Sequence, residues 1–420
     1  LTNLNVTNVD IIGNTHGAGG VVAMVYYDGV VSNCSSTGSV RGSGGVGSVG
    51  GVIGATLSSA DITNCHFEGY VEGTSNVGGL IGHTTYGLNI DSCTSSGTVV
   101  GNDHVGGLVG YLSSSLSNSS SSANVSGTGD IIGGLVGFKG SFPVNNCFST
   151  GNVSGVNSVG GLVGETGGST IHESLSTGIV TGVDRVGGLV GYNNQYSDVY
   201  NCYSTAQVTG SDKVGGLVGY NYFRSDIFNA YSTGTVIGVT DVGGFVGQDQ
   251  FYTSINNCFW DTLTSGQGES AGGIGKATVE MNSQATFTEV DWSFKTPDED
   301  GIWNIGNDRN SGYPYLNWEY PNDPSPVSIT NFHQPNTYRL IQNYPNPFNP
   351  STTIRYGLPE EANVSLVIYD VRGQVVQAIA SEHQSAGWYD VVWNGHTAEG
   401  KTISTGIYFA RLVAGDHSQV

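Results

Sequence analysis

Apolar residues in the first two thirds of the chain recur in pairs framed by glycine. The pentad Gly-Gly-apolar-apolar-Gly follows an apolar residue at Val49, Val77, Val105, Ile132, Val159, Val186, Val214 and Val242, in steps of 28, 28, 27, 27, 27, 28 and 28 residues. Weaker copies, Ala18-Gly-Gly-Val-Val and Ala271-Gly-Gly-Ile-Gly, extend the series at both ends. A second block follows at fixed offset, as in Asn146-Cys-Phe-Ser-Thr-Gly-Asn-Val-Ser-Gly155 and Asn201-Cys-Tyr-Ser-Thr-Ala-Gln-Val-Thr-Gly210. The apolar residues are adjacent rather than helically spaced, and Thr-Gly-x-Val alternates with period two, so each unit reads as short strands joined by turns. A unit this short buries no apolar face alone, so units must stack. One coil per unit, rising about 4.8 Å, predicts a rod about 45 Å long over nine or ten coils. The expected fold is therefore all-β: a parallel β-solenoid over residues 1–285. Its glycines are expected where corners need positive φ or close backbone approach.

Stacking aligns equivalent residues in columns. Asn33, Asn64, Asn118, Asn146, Asn201, Asn229 and Asn257 share one, which suits a left-handed turn and an amide ladder. All six cysteines fall in the next: Cys34, Cys65, Cys93, Cys147, Cys202 and Cys258, with Ser119, Ser174 and Ala230 in its gaps. Small-residue replacement marks a packed interior column rather than a disulfide framework, and at most one disulfide is expected.

Composition narrows the partners. Glycine accounts for 66 of 420 residues without a three-residue period, and only 11 prolines are present, which excludes collagen. The net charge of 13 − 34 = −21 disfavours nucleic acid and anionic membrane surfaces. The richest apolar stretch, Val21–Tyr27, is too short for a membrane helix, so no membrane span is expected. Leu1 opens inside a β-like pattern, so any leader is expected to have been removed, or the chain to be a fragment.

The Val-Gly-Gly-Leu-Val-Gly-Tyr-Asn and Asn-Cys-Tyr-Ser-Thr-Gly-x-Val-x-Gly blocks resemble the GLUG repeat of bacterial surface and secreted proteins over about 270 residues. The resemblance implies an extracellular or outer-surface location and assigns no catalytic role to the repeat. Regularity fails after Gly275. Trp292, Trp303 and Tyr313-Pro-Tyr-Leu-Asn-Trp318 place three of the six tryptophans within 27 residues. Residues 286–320 are expected to be an aromatic cap on the open end of the solenoid. Residues 321–338 read as a proline-rich linker. Strands at Thr352–Tyr356, Val364–Val371, Val375–Ile379, Trp388–Trp393 and Ile407–Leu412 predict a small antiparallel sandwich over residues 339–420. Tyr344-Pro345-Asn346-Pro347-Phe348-Asn349-Pro350, with Ile368-Tyr-Asp-Val-x-Gly373, Trp393-Asn-Gly395 and Ser404-Thr-Gly-x-Tyr-Phe409, closely resembles the C-terminal sorting domain of type IX secretion substrates. That domain is related to the immunoglobulin-like domain of the flagellar hook-capping protein. The resemblance implies the type IX secretion machinery as a partner, and the domain is expected to lack its last strand.

Candidate chemistry is sparse. The histidines (His16, His66, His83, His104, His172, His333, His383, His396 and His417) share no column and no metal-ligand spacing. Stacking superposes Asp198 on Asp226, and Asp184 on Asp212 in a column with Asp103 and Asp130. Such pairs suit a glycosidase or a weak calcium site, but recurrence before the pentad favours a turn role for the latter column. The stretch Asp298-Glu-Asp-Gly301 with Asn307 and Asp308 lacks the ligand spacing of a calcium loop. Thr150, Thr177, Thr205 and Thr233 form a ladder of the kind an ice- or crystal-binding face needs, interrupted by Glu68 and Asp261. The remaining candidate is a loop face carrying Tyr86, Phe142, Tyr196, Phe223, Phe251 and Tyr252, with Tyr111, Phe138, Tyr192 and Tyr220 directly after the pentads. Exposed rings on loops offer flat faces and polar handles to sugars. The expected function is a non-enzymatic surface solenoid that needs no cofactor and binds glycan or protein partners, or self-associates into a fibre. The alternative is a carbohydrate-active β-helix enzyme.

Overall fold

A computed structural model of the chain describes residues 1–13, 17–26, 29–43, 47–57, 60–296, 300–306, 309–320, 338–340, 343, 348, 351–385, 387–398, 400–415 and 417–419. It comprises two units, Leu1–Pro326 and Val327–Val420. In the first, every repeat makes one coil of a parallel solenoid. A representative coil runs through Asp184–Gly187, Val190–Asn193, Ser197–Tyr200, Tyr203–Ser204 and Gln207–Thr209. Each segment pairs in register with its counterparts in both neighbouring coils: Val186 with Val159 and Val214, Val190 with Val163 and Val218, Val199 with Ile171 and Ile227. Among the described residues three faces are nine-stranded sheets, and the fourth has sixteen strands because later coils contribute two short strands to it. The inward valines and the column Leu80, Leu108, Leu135, Leu162, Leu189, Leu217 and Phe245 are fully buried.

The pentad glycines are required by close approach alone. None of those described has a positive φ, and the positive-φ part of the expectation is met by other solenoid glycines, among them Gly38, Gly69, Gly87, Gly97, Gly168 and Gly178. A Cβ on Gly187 would lie 1.9 Å from the Val190 carbonyl oxygen, and one on Gly188 would lie 2.1 Å from the Gly216 oxygen and 2.4 Å from Ser204 Oγ. The serines opposite use that room. Ser36, Ser95, Ser176 and Ser232 donate to the carbonyls of Gly51, Gly107, Gly188 and Gly244 at 2.6–2.8 Å. Non-glycine residues hold two further left-handed columns. One column holds Asn76, His104, Ile131, Ser158, Arg185, Lys213 and Asp241, directly before the pentad valine, and another holds the seven predicted asparagines, with Ser92 and Glu173 in its gaps. Asparagine amides bridge coils there at 3.2–3.3 Å, from Asn33 to Asn3, Asn146 to Asn118 and Asn257 to Asn229.

All six cysteines are buried and free. The thiols of Cys34, Cys65, Cys93, Cys147, Cys202 and Cys258 donate to the carbonyl two residues earlier at 3.0–3.4 Å. Ser119 and Ser174 do the same. This shared hydrogen bond explains why Cys and Ser interchange in the column.

Two expectations at the C-terminal end fail. The weak copy Ala271-Gly-Gly-Ile-Gly does not continue the pentad face; Ile274–Lys276 instead pairs with Phe259–Asp261 on the fourth face. The chain between them closes the end: Trp260 turns into the core with its Nε1 donating to Gln267 O, and Gly244 N and Ala271 N bond to Glu269 O and Val246 O. With the end closed, the tryptophan-rich segment lies along the flank. Trp292, Trp303, Tyr313 and Leu316 pack on Leu175, Tyr203, Tyr231 and Phe259, an outward apolar column that needs a cover. Trp318 Nε1 reaches Glu173 O at 2.9 Å, far from the end.

The second unit is an antiparallel sandwich. One sheet holds Arg339–Leu340, Thr352–Leu358 and Gly387–Trp393; the other holds Val375–Gln384, Ala362–Asp370, Tyr408–Ala414 and His417–Gln419. Ile354, Tyr356, Leu366, Ile368, Trp393 and Leu412 fill its core. His417–Gln419 pairs with Tyr408–Ala414 after a turn at Gly415, so a short edge strand stands where none was expected. No helix among the described residues is long and apolar enough to cross a membrane.

Gly188→Ala should destabilise the solenoid by at least about 2 kcal/mol in urea unfolding. Gly268→Ala, with no atom within 4 Å of its added Cβ, should stay within about 0.5 kcal/mol of the parent. Thiol titration should find no reactive cysteine in the folded protein and six in denaturant.

Candidate functional site

The corner between the second and third faces is built from the inside outward. Its buried floor is a polar column. Thr166 Oγ1 donates to Asn193 Oδ1 at 3.1 Å, Asn193 Nδ2 to Asn221 Oδ1 at 2.8 Å, and Asn221 Nδ2 to Asp249 Oδ1 at 2.8 Å. The same amides donate to Ser197 O and Ser225 O, four residues on, and so pin the intervening loops. Lys139 is wholly buried in this column, its Nζ donating to the loop carbonyls of Gly140 and Gly168. Burial draws its pKa down to about 7, opposed by the Asp198 carboxylate. This column is absent from the sequence-based expectations, although the Val-Gly-Tyr-Asn that recurs at Val190 and Val218 signals it.

Over that floor the loops turn through consecutive left-handed residues: Gln195 and Tyr196, Phe223 and Arg224, Phe251 and Tyr252. Non-glycine residues held there are strained by about 1–2 kcal/mol each, which marks the corner as a candidate functional site. The turn throws side chains outward. Tyr252 is 82 % exposed, Tyr86 71 %, Tyr196 55 % and Phe251 53 %, whereas Phe223 and Phe142 are more covered. The predicted rings fall into two groups: Tyr86 with Phe142, and Tyr196, Phe223 and Phe251 joined through Tyr222, which lies 6.1 Å from Phe223. Tyr86 meets Phe142 at 6.1 Å between centroids and Tyr196 meets Phe223 edge-on at 5.7 Å, while Phe251 packs edge-on against Tyr222 at 5.0 Å.

Tyr196, Asp198, Arg224, Asp226 and Tyr252 line a surface depression of about 560 Å³. The Arg224 guanidinium lies 5.6 Å from the Tyr196 ring centroid. Asp198 and Asp226 are stacked on successive coils, as expected. Asp198 Oδ1 accepts from Asp226 N at 3.1 Å and Asp226 Oδ1 from Ser254 N at 2.8 Å, so each carboxylate tethers the next coil. Burial raises the Asp198 pKa, offset by the bond from Asp226 N, with the Asp226 charge adding to the rise.

The other carboxylate column is knitted into the scaffold. Asp184 stacks on Asp212, and Lys213 bonds both. Asp103 Oδ1 accepts from Asp130 N at 2.9 Å, and Asp130 Oδ1 from Asn157 Nδ2 at 2.8 Å. Tyr111 stacks on Phe138 at 4.8 Å and Tyr192 on Tyr220 at 5.2 Å, in one outward column of the second face. His83 sits one coil before Tyr111 in the same column, and His104 approaches from the first face; the two flank the ring at 5.1 and 5.6 Å, and only the His104 contact lies beyond column counting. Burial lowers the pKa of both. Thr150 and Thr177 lie beside Trp318 and Tyr320, and Thr233 is buried, so the threonine ladder is not the flat open face that crystal binding needs.

Among the described residues no three His, Cys, Asp or Glu side chains converge as a metal site. Asp300 accepts from Asn317 at 2.8 Å, whereas His16, Asp298, Glu299, Asn307, Asp308 and His333 lie outside the described residues. So do Tyr344, Pro345, Asn346, Pro347, Asn349 and Pro350 of the expected sorting motif; Phe348 packs on Trp393 at 5.2 Å.

Comparison with known proteins agrees with the two units. The GLUG motif matches residues 73–100, 101–126, 182–209 and 211–237, and the FlgD Ig-like domain matches residues 349–418. No curated protein matches the chain. Among solved structures it resembles a candidate immunoglobulin A1 protease from Bacteroides ovatus at 17 % identity, covering 76 % of this chain and 74 % of that one, with a TM-score of 0.30. A superposition that weak does not extend to function.

Lys139 makes the site's stability depend on pH. Between about pH 7 and its ordinary pKa of 10.5, the unfolded chain holds a proton that the folded chain releases, so this group's contribution to stability rises with pH. Wild type should gain on the order of a few kcal/mol relative to Lys139→Met from pH 7 to pH 10, read from paired urea unfolding curves.

Proposed function

We propose that this chain is an exported bacterial protein of the cell surface or medium, in which a rigid, non-catalytic solenoid presents the aromatic corner to glycan or protein partners. The observation that carries this reading is the depression between Tyr196, Arg224 and Tyr252, where two exposed rings and a guanidinium surround two carboxylates on a preorganised corner. Rings with polar neighbours suit the apolar faces and hydroxyl edges of sugars. Related corners recur from coil to coil, so weak contacts add along an extended ligand or between copies in a fibre. The GLUG and FlgD Ig-like matches support a surface or secreted setting. The Tyr344–Pro350 motif supports export by the type IX machinery, with the second unit as the signal.

The reading needs no cofactor. Calcium at the acidic turns is disfavoured, because Lys213 and coil-to-coil amides already engage the carboxylates of Asp184, Asp212, Asp103 and Asp130. The enzymatic alternative rests on Asp198 and Asp226, whose stacking one coil apart falls near the carboxyl spacing of retaining glycosidases. Their bonds to the next coil favour a structural role.

A glycan array followed by titration tests this. Tyr196→Ala with Tyr252→Ala should weaken binding at least about 10-fold, the loss of roughly 1.4 kcal/mol expected of a ring contact, with thermal unfolding unchanged. No new reducing ends should appear on any bound polysaccharide. Reducing ends that appear with wild type and vanish in Asp198→Asn would make the chain an enzyme.

A further inference from the structure

On the fourth face, away from the aromatic corner, the segment 309–320 leaves a cleft of about 330 Å³ against the solenoid. Towards the C-terminal end the same flank is closed, with Trp292 4.5 Å from Trp303 and Phe287 5.3 Å from Phe259. Towards the earlier coils the outward column changes from Tyr231 and Tyr203 to Leu175 and Phe148, and the covering chain no longer fills the space. A volume near the lower end of the ~300–1,000 Å³ of small-molecule sites remains.

We infer that this cleft is a binding site for one uncharged sugar unit. Its walls are rings whose orientation is set. Phe148 and Trp318 converge, 6.2 Å between centroids and 31° between planes. Trp318 is locked by its Nε1 bond to Glu173 O, and Tyr320 is held beneath the Arg309 guanidinium at 4.5 Å. Such converging faces take the C–H face of a pyranose. The polar groups are placed for its hydroxyl edge. Glu319 is held from two sides, Oε1 accepting from Leu316 N at 2.7 Å and Oε2 from Tyr203 OH at 2.8 Å, and each oxygen keeps a further acceptor position. Burial pushes its pKa up to about 7, so near neutrality the carboxyl serves as donor as well as acceptor. Thr150 and Thr177 line the solenoid side, one coil apart. The ionisable carboxyl among the described lining residues is Glu319, and the neighbouring Arg309 guanidinium lies over the Tyr320 ring, so the lining disfavours anionic sugars.

This site is independent of the aromatic corner. Saturation-transfer NMR and calorimetry with a panel of neutral mono- to tetrasaccharides, and the matching uronic acids, test it on the full chain. At least one neutral sugar should bind saturably in the millimolar range or tighter, and more strongly than its uronic acid. Thr177→Trp, which fills the cleft from the solenoid side and leaves the sequence of segment 309–320 unchanged, should weaken binding at least 10-fold. Phe148→Ala, which removes one wall at a half-buried position, gives a second measure should Thr177→Trp lower the unfolding temperature. Tyr196→Ala with Tyr252→Ala should leave this binding in place. The inference is overturned if no neutral sugar binds, if binding survives both cleft variants, if it follows Tyr196 and Tyr252 instead, or if the uronic acid is preferred.

Discussion

The structure depends on the in-register parallel backbone ladder. Each coil leaves its amides and carbonyls unpaired unless an equal coil lies on top, and every column repeats one side-chain environment along the axis. A residue change in one coil is therefore felt by two neighbours. The pentad shows the constraint at its tightest. Gly187 and Gly188 sit where a single added carbon meets a carbonyl oxygen within about 2 Å, and the serine opposite fills the space that remains.

Columns also show how one physical need admits several residues. The cysteine column requires a small side chain that donates to the carbonyl two residues back, and a thiol or a hydroxyl meets it. The left-handed column requires a residue that tolerates positive φ, and asparagine leads because its amide bridges coils. The buried polar column is more permissive: Thr166, Asn193 and Asn221 share it with Lys139, whose long stem carries its ammonium to the loop carbonyls. That column pins the loops that carry Tyr196 and Phe223.

The flank obeys a different logic. Phe148, Leu175, Tyr203, Tyr231 and Phe259 face outward, and the chain after the solenoid folds back to cover them. The cover is complete over Tyr231 and Phe259 and incomplete near Phe148, so one apolar column yields both packing and a cleft. The two candidate sites thus have different origins: the corner loops that successive coils carry, and the returning segment on the fourth face.

The period of 27–28 residues sufficed for the solenoid, its register and the membership of the asparagine, cysteine and aspartate columns, because strand stacking converts sequence distance directly into position. Alternating apolar runs did the same for the sandwich strands. Column counting could not show that His104 meets the His83–Tyr111 column, since it comes from a different face. Nor could it show that Trp292, Trp303 and Trp318 lie along the side instead of over the end. Those outcomes turn on which apolar surface is left uncovered once Trp260 and Phe245 close the core. Repetition is a local property that a sequence states outright; the bends between faces and the path of a chain without repeats are settled only by packing in three dimensions.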